Sequence, residues 1–209
     1  MQFFFDSTVI LSRVLLLVAI ILAVIKYKLI SKNERWYILY LILVFFIEYT
    51  SLALATFQIN GGNNRFLYPV YIAGEFFAIS GIFIRKLNLS HYYFIVSGLI
   101  SVFFLTADRL LIEHQYNNDY SKAASNLIMV CMISFALLQD IKKIKNRSIF
   151  QDVDKVFFLY FAVSIFIFIL QEQMMSLPLE YFSAIWMINN ILTCVVYSFF
   201  IKTFLKLKK

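Results

Sequence analysis

The 209-residue chain is 62% apolar or aromatic and only 15% charged, with 24 phenylalanines and a mean hydropathy of +0.80. A soluble domain, with about 45–50% apolar residues, could not cover so much apolar surface, so the composition excludes a soluble globule and, equally, disorder, coiled coil and collagen. The formal charge of +7 sits in short segments between apolar runs, which removes nucleic acid as its partner and leaves an all-α, polytopic membrane bundle.

Seven runs suffice to cross ~30 Å of hydrocarbon at ~1.5 Å per residue. The first, about 7–26, lies in a segment without the basic start and small-residue cleavage site of a secretory signal, so it reads as a retained span. The second, about 35–57, ends at QINGGNNR, where Gly61 and Gly62 mark a tight turn. The third (66–85) stops at Arg85 and Lys86, and the fourth (92–108) at Asp108 and Arg109. The fifth (122–140) precedes a basic segment, the sixth covers 155–173, and the seventh (181–202) follows Pro178. Residues 1–209 thus form one transmembrane domain with no soluble domain attached.

Fifteen of the nineteen Lys and Arg residues fall between spans one and two, three and four, five and six, or in the tail. Basic residues are retained on the cytoplasmic side, which predicts an outside N-terminus and a cytoplasmic C-terminus. Arg65, Arg109 and Lys122 are assigned to the outer side, and Arg13 to the start of span one. The Asn88-Leu-Ser90 and Asn146-Arg-Ser148 acceptor patterns fall on the cytoplasmic side and carry no weight. Cys131 and Cys194 lie within apolar runs, and His91 and His114 lie on opposite sides, so no disulfide, metal site or cofactor is expected.

The informative residues are polar ones inside the spans, because an ionisable group near the bilayer centre costs at least about 2.5–3.5 kcal/mol. Helical rise places Glu48 and Glu75 roughly 18 and 14 Å above the cytoplasmic boundary, with Asn190 near 17 Å and Asn126 near 20 Å. Four spans therefore contribute to one polar layer. Tyr71 precedes Glu75 by four residues, and Tyr197 follows Asn190 by seven, so each extends its stripe. The candidate ligand-binding set is Glu48, Glu75, Asn126, Asn190, Tyr71 and Tyr197. If the two carboxyls meet in a dry site, one of them should hold a proton. Gly74 and Ala78 form a small-xxx-small step that admits a close neighbouring helix.

The odd number of spans permits a 3+1+3 layout of parallel repeats. YILY ending at Tyr40 aligns with FFLY ending at Tyr160, and IRK at 84–86 with IKT at 201–203. The segments YILYLILVFFIEYTS, NNRFLYPVYIAGEFF and WMINNILTCVVYSFF resemble those of small, uncharacterised seven-span inner-membrane proteins of bacteria. That resemblance implies a multi-pass protein of the bacterial inner membrane, and the Phe, Ile, Lys, Asn and Tyr enrichment suits an AT-rich genome. No nucleophile with its base, and no metal triad, is assembled at one depth, so no catalytic residue is assigned. The favoured expectation is a binding or transport module whose polar layer takes a small polar ligand, a proton or a cation. The alternative is an accessory subunit that senses, scaffolds or forms a pore with copies of itself or with a partner protein.

Overall fold

Apolar residues at helical spacing, with strand-favouring alternation nowhere sustained, produce an all-helical chain, here described by a computed structural model over residues 2–58, 63–111, 117–142, 148–174 and 176–207. The Gly61–Gly62 turn, His114, Lys143, Lys145, Asn146, Arg147, Lys208, Lys209 and the side chain of Glu172 lie outside the described residues. The helices are α1 (Gln2–Lys26), α2 (Arg35–Thr56), α3 (Leu67–Lys86), α4 (Tyr92–Leu110), α5 (Asn118–Lys142), α6 (Gln151–Ile169), a single turn α7 (Gln171–Met174) and α8 (Leu179–Lys206). Six are long and apolar enough to cross a membrane. The seventh long helix, α6, opens with Asp152, Asp154 and Lys155.

The helix ends have local causes. Pro69 sits in the first turn of α3, where its missing N–H has no intrahelical partner to lose, and α8 starts directly after Pro178. Asn88 takes a left-handed conformation at φ 53°, so the Leu89 N–H reaches back to the Ile84 carbonyl at 3.0 Å and closes α3. Several helices differ from the expected bounds: α1 begins at Gln2 and α8 runs on to Lys206. The sixth is displaced four residues toward the N-terminus because Asp152 and Asp154 favour the positive end of a helix dipole. The fifth begins at Asn118 rather than at 122, which draws Lys122 into the helix.

Helices α1, α2, α3, α5, α6 and α8 pack as a closed ring in that order, α8 returning against α1, while α4 lies outside it, mainly against α3. Buried side chains of α3, among them Ile72, Phe76, Ile79 and Phe83, make it the most enclosed helix. Gly74 and Gly81 permit this packing, since a methyl at Gly74 would overlap the end of Leu43 and one at Gly81 would overlap the Trp36 ring. A leucine end can rotate away and an indole wedged beside Phe77 and Phe94 cannot. Overpacking of this kind costs about 1–3 kcal/mol. Gly81→Ala should therefore lower the melting temperature in detergent by about 2–10 °C. Gly98→Ala, whose methyl would meet only Phe77 at 3.9 Å, should leave it unchanged. Size-exclusion chromatography after a heating series measures both; equal melting of the two variants would contradict the packing argument.

Candidate functional site

The helix ring encloses a cavity of about 710 Å³, within the range of small-molecule sites. Its mouth is framed by Asn64, Arg65, Asn117, Asn118 and Gln171, from the segments joining α2 to α3, α4 to α5 and α6 to α7. Tyr40, Val44, Tyr160, Val196 and Tyr197 line its deep end. The lining runs from Trp186 to Tyr197 on α8 and from Ser51 to Tyr40 on α2, so the chamber extends roughly 17 Å along the bundle.

The walls carry charges, and each deep charge has a partner. On α3, Glu75 is fully buried; it accepts a hydrogen bond from the Tyr71 hydroxyl at 2.6 Å and is ion-paired with Lys122 of α5. The Lys122 ammonium, itself fully buried, lies 4.5 Å from the centre of the Tyr71 ring, 5.9 Å from that of Phe168 and 6.0 Å from that of Phe161. A carboxylate and three aromatic faces thus replace the water that a lysine would otherwise keep. Nearer the mouth, the Tyr68 hydroxyl donates to Asp119 at 2.8 Å. On the opposite wall Arg13 Nε of α1 stands 3.5 Å from Glu48 Oε2 of α2, with side chains 28% and 45% exposed.

These pairs correct the expectation that Glu48 and Glu75 share a site and a proton. Each is paired with a cation of a different helix, Glu48 with Arg13 of α1 and Glu75 with Lys122 of α5. Lys122, assigned by sequence to the outer loop, lies instead within the bundle. Of the candidate residues, Glu48, Tyr71, Asn190 and Tyr197 line the chamber together. Glu75 stands behind Tyr71 and Lys122 and does not line it. Asn126 is fully buried without lining the chamber, and neither its amide oxygen nor its nitrogen has a hydrogen-bond partner.

Residues that sequence reasoning missed include Lys122, Arg13, Asp119 and Asn189. A signal for two of them was present. The buried residues Asp119, Lys122, Asn126, Met129, Ile133 and Ala136 follow alternating steps of three and four along α5, so the stripe through Asn126 passes through Lys122 one turn earlier and Asp119 two turns earlier. Arg13 likewise sits one turn before the buried row Leu16, Ala19 and Ala23.

Some polar groups are mutually satisfied, as where the Ser164 hydroxyl donates to the Asn189 side-chain oxygen at 2.9 Å. Among the described residues, five buried atoms on lining residues have no hydrogen-bond partner: the donors Arg13 Nε, Trp186 Nε1 and Asn190 Nδ2, and the acceptors Asn118 Oδ1 and Gln171 Oε1. A buried unpartnered polar group costs about 1–3 kcal/mol. Among the described residues no group of three or more His, Cys, Asp or Glu is placed to hold a metal ion.

Below the chamber the bundle is closed. Tyr37 stacks on Phe150, centroids 4.3 Å apart and planes at 11°, while Phe157 and Phe200 each touch both Tyr37 and Tyr40. Beneath this layer Lys86 of α3 lies 2.5 Å from both Asp140 of α5 and Asp154 of α6, and the Tyr37 hydroxyl donates to Asp154 at 2.5 Å. A second cavity, of about 270 Å³, enters from this lysine-rich end and is lined by Tyr37, Arg85, Lys86 and Asn88 among others. The two cavities are separated along α2 by the single turn between Tyr37 and Tyr40. The chain matches no family model, no curated protein and no solved structure.

Proposed function

We propose that this chain is a multi-pass membrane transport or binding module that receives a small polar ligand in the chamber and passes it through the bundle. The observation that carries this reading is the pair of cavities entering from opposite ends and interrupted by one aromatic layer at Tyr37, Tyr40, Phe157 and Phe200. A site open to one side and shut from the other is what alternating access requires, and two three-helix sets joined by an outlying α4 suit rocking of one set against the other. The distribution of Lys and Arg orients the chamber outward and the tail into the cytoplasm. Together with the resemblance drawn from its sequence, this supports the bacterial inner membrane as the setting. A subunit that only scaffolds its partners needs no such chamber, which favours the transport reading over an accessory role.

The test is accessibility. In a background with Cys131 and Cys194 replaced by Ala, Ser51→Cys and Asn190→Cys line the chamber, and Phe157→Cys lies in the closing layer. A membrane-impermeant thiol reagent added outside intact cells is expected to label the first two at least about ten times faster than the third. Failure to label either chamber position from outside would overturn the reading.

A further inference from the structure

The charged groups of the chamber differ in what they leave free. The Lys122–Glu75 pair is sealed by its aromatic cage and by Tyr71, so neither charge is offered to a ligand. Arg13 and Glu48 are offered. They stand side by side halfway along α1 and α2, their separation of 3.5 Å makes an ion pair but no hydrogen bond, and their side chains are 28% and 45% exposed. Both line the chamber.

We infer that the ligand is a small dipolar ion, carrying one carboxylate and one ammonium close together as an α-amino acid does, with the carboxylate on Arg13 and the ammonium on Glu48. This rests on the reading of the chamber as a ligand site and names its substrate class. Adjacent opposite charges on the wall are complementary to adjacent opposite charges on the ligand, so the loose pair is exchanged for two charge-assisted contacts. A ligand of net charge would add an unbalanced charge to a bilayer-depth site whose own deep charges are matched, which is costly. An uncharged polyol would leave Arg13 and Glu48 as they are and forgo the strongest contacts available. On α8 Trp186 and Asn190 line the chamber and carry N–H groups for the remainder of the ligand.

Trp186 lines the chamber and Trp36, the second tryptophan, packs away from it against Phe77 and Phe94. Tryptophan emission of the purified full chain, compared with Trp186→Phe, therefore reports occupancy. The probes are the L-α-amino acids singly, then the amide and the deaminated acid of the tightest one, and glucose. The expected result is a saturable change with at least one amino acid, absent in Trp186→Phe, and weakening of about ten-fold or more when either ligand charge is removed. Arg13→Gln should cease to distinguish the acid from its amide, and Glu48→Gln should cease to distinguish the amino acid from its deaminated form. The analogue series on the unsubstituted protein decides the matter if either variant fails to fold. Binding of glucose or of a singly charged analogue without binding of any amino acid overturns the inference. So does native affinity in both Gln variants. If no probe binds while Ser51→Cys and Asn190→Cys label from outside, the substrate class falls and the chamber reading stands; if those positions do not label, the chamber reading falls as well.

Discussion

Lys122→Met should be the most damaging single substitution in the chamber wall. It removes the cation paired with Glu75, a fully buried carboxylate that also accepts a hydrogen bond from the Tyr71 hydroxyl. Breaking a buried pair from one side costs about 3–5 kcal/mol, because the surviving charge stays in a medium that cannot solvate it. For a chain of this size that lowers the melting temperature by roughly 10 °C or more. The pair as a whole contributes far less, since two desolvation costs offset most of the mutual attraction. Lys122→Met combined with Glu75→Gln should therefore recover most of the lost stability, and the double variant should melt above the single. Melting in detergent, followed by the fraction of monodisperse protein after heating, checks this. A double variant no more stable than Lys122→Met alone would mean that Lys122 acts through packing on Tyr71, Phe161 and Phe168 and not through Glu75.

Lys86→Met should have the second largest effect, and a different one. Lys86 stands between Asp140 and Asp154, so its loss leaves two carboxylates near one another, with only the Tyr37 hydroxyl on Asp154. Like charges at this separation repel strongly in a low-dielectric interior, and the three helices α3, α5 and α6 should part at their lysine-rich ends. Because Tyr37 belongs both to this network and to the aromatic layer, loss of the network loosens the stack of Tyr37 on Phe150. In inverted membrane vesicles, labelling of Asn190→Cys by an impermeant thiol reagent should become about ten times faster in the Lys86→Met background, equivalent to about 1.4 kcal/mol taken from the closed state. Asp140→Asn, which preserves the contact of Lys86 with Asp154, should change the labelling rate much less. Equal rates in all three proteins would show that the aromatic layer closes the chamber without help from the ion network.

Much of the axial arrangement was legible in the chain. Apolar runs of about twenty residues report membrane crossings because hydrocarbon thickness sets their length, and six helices meet that requirement. Of the four polar residues that helical rise puts at one height, Glu48 and Asn190 line the chamber, while Glu75 and Asn126 do not. The pairing of charges was not legible. Treating every Lys and Arg near a span end as a topology signal placed Lys122 in a loop, although the stripe of Asp119, Lys122 and Asn126 shows it turned inward with the core. Glu48 and Glu75 share a depth, yet depth says nothing about which neighbour a helix face meets.

Composition and periodicity along the chain established a membrane bundle, the heights of its polar groups and the helix faces that bear them, because hydropathy and rise act along one axis. The partners of those groups came from the third dimension. Return of α8 to α1 closed the ring around Arg13 and Glu48, and the packing of α5 beside α3 brought Lys122 to Glu75. The reason is physical: the cost of a buried charge depends on its depth, which the linear order of residues conveys, whereas its neutralisation depends on helix rotation and neighbour order, which only the assembled bundle sets.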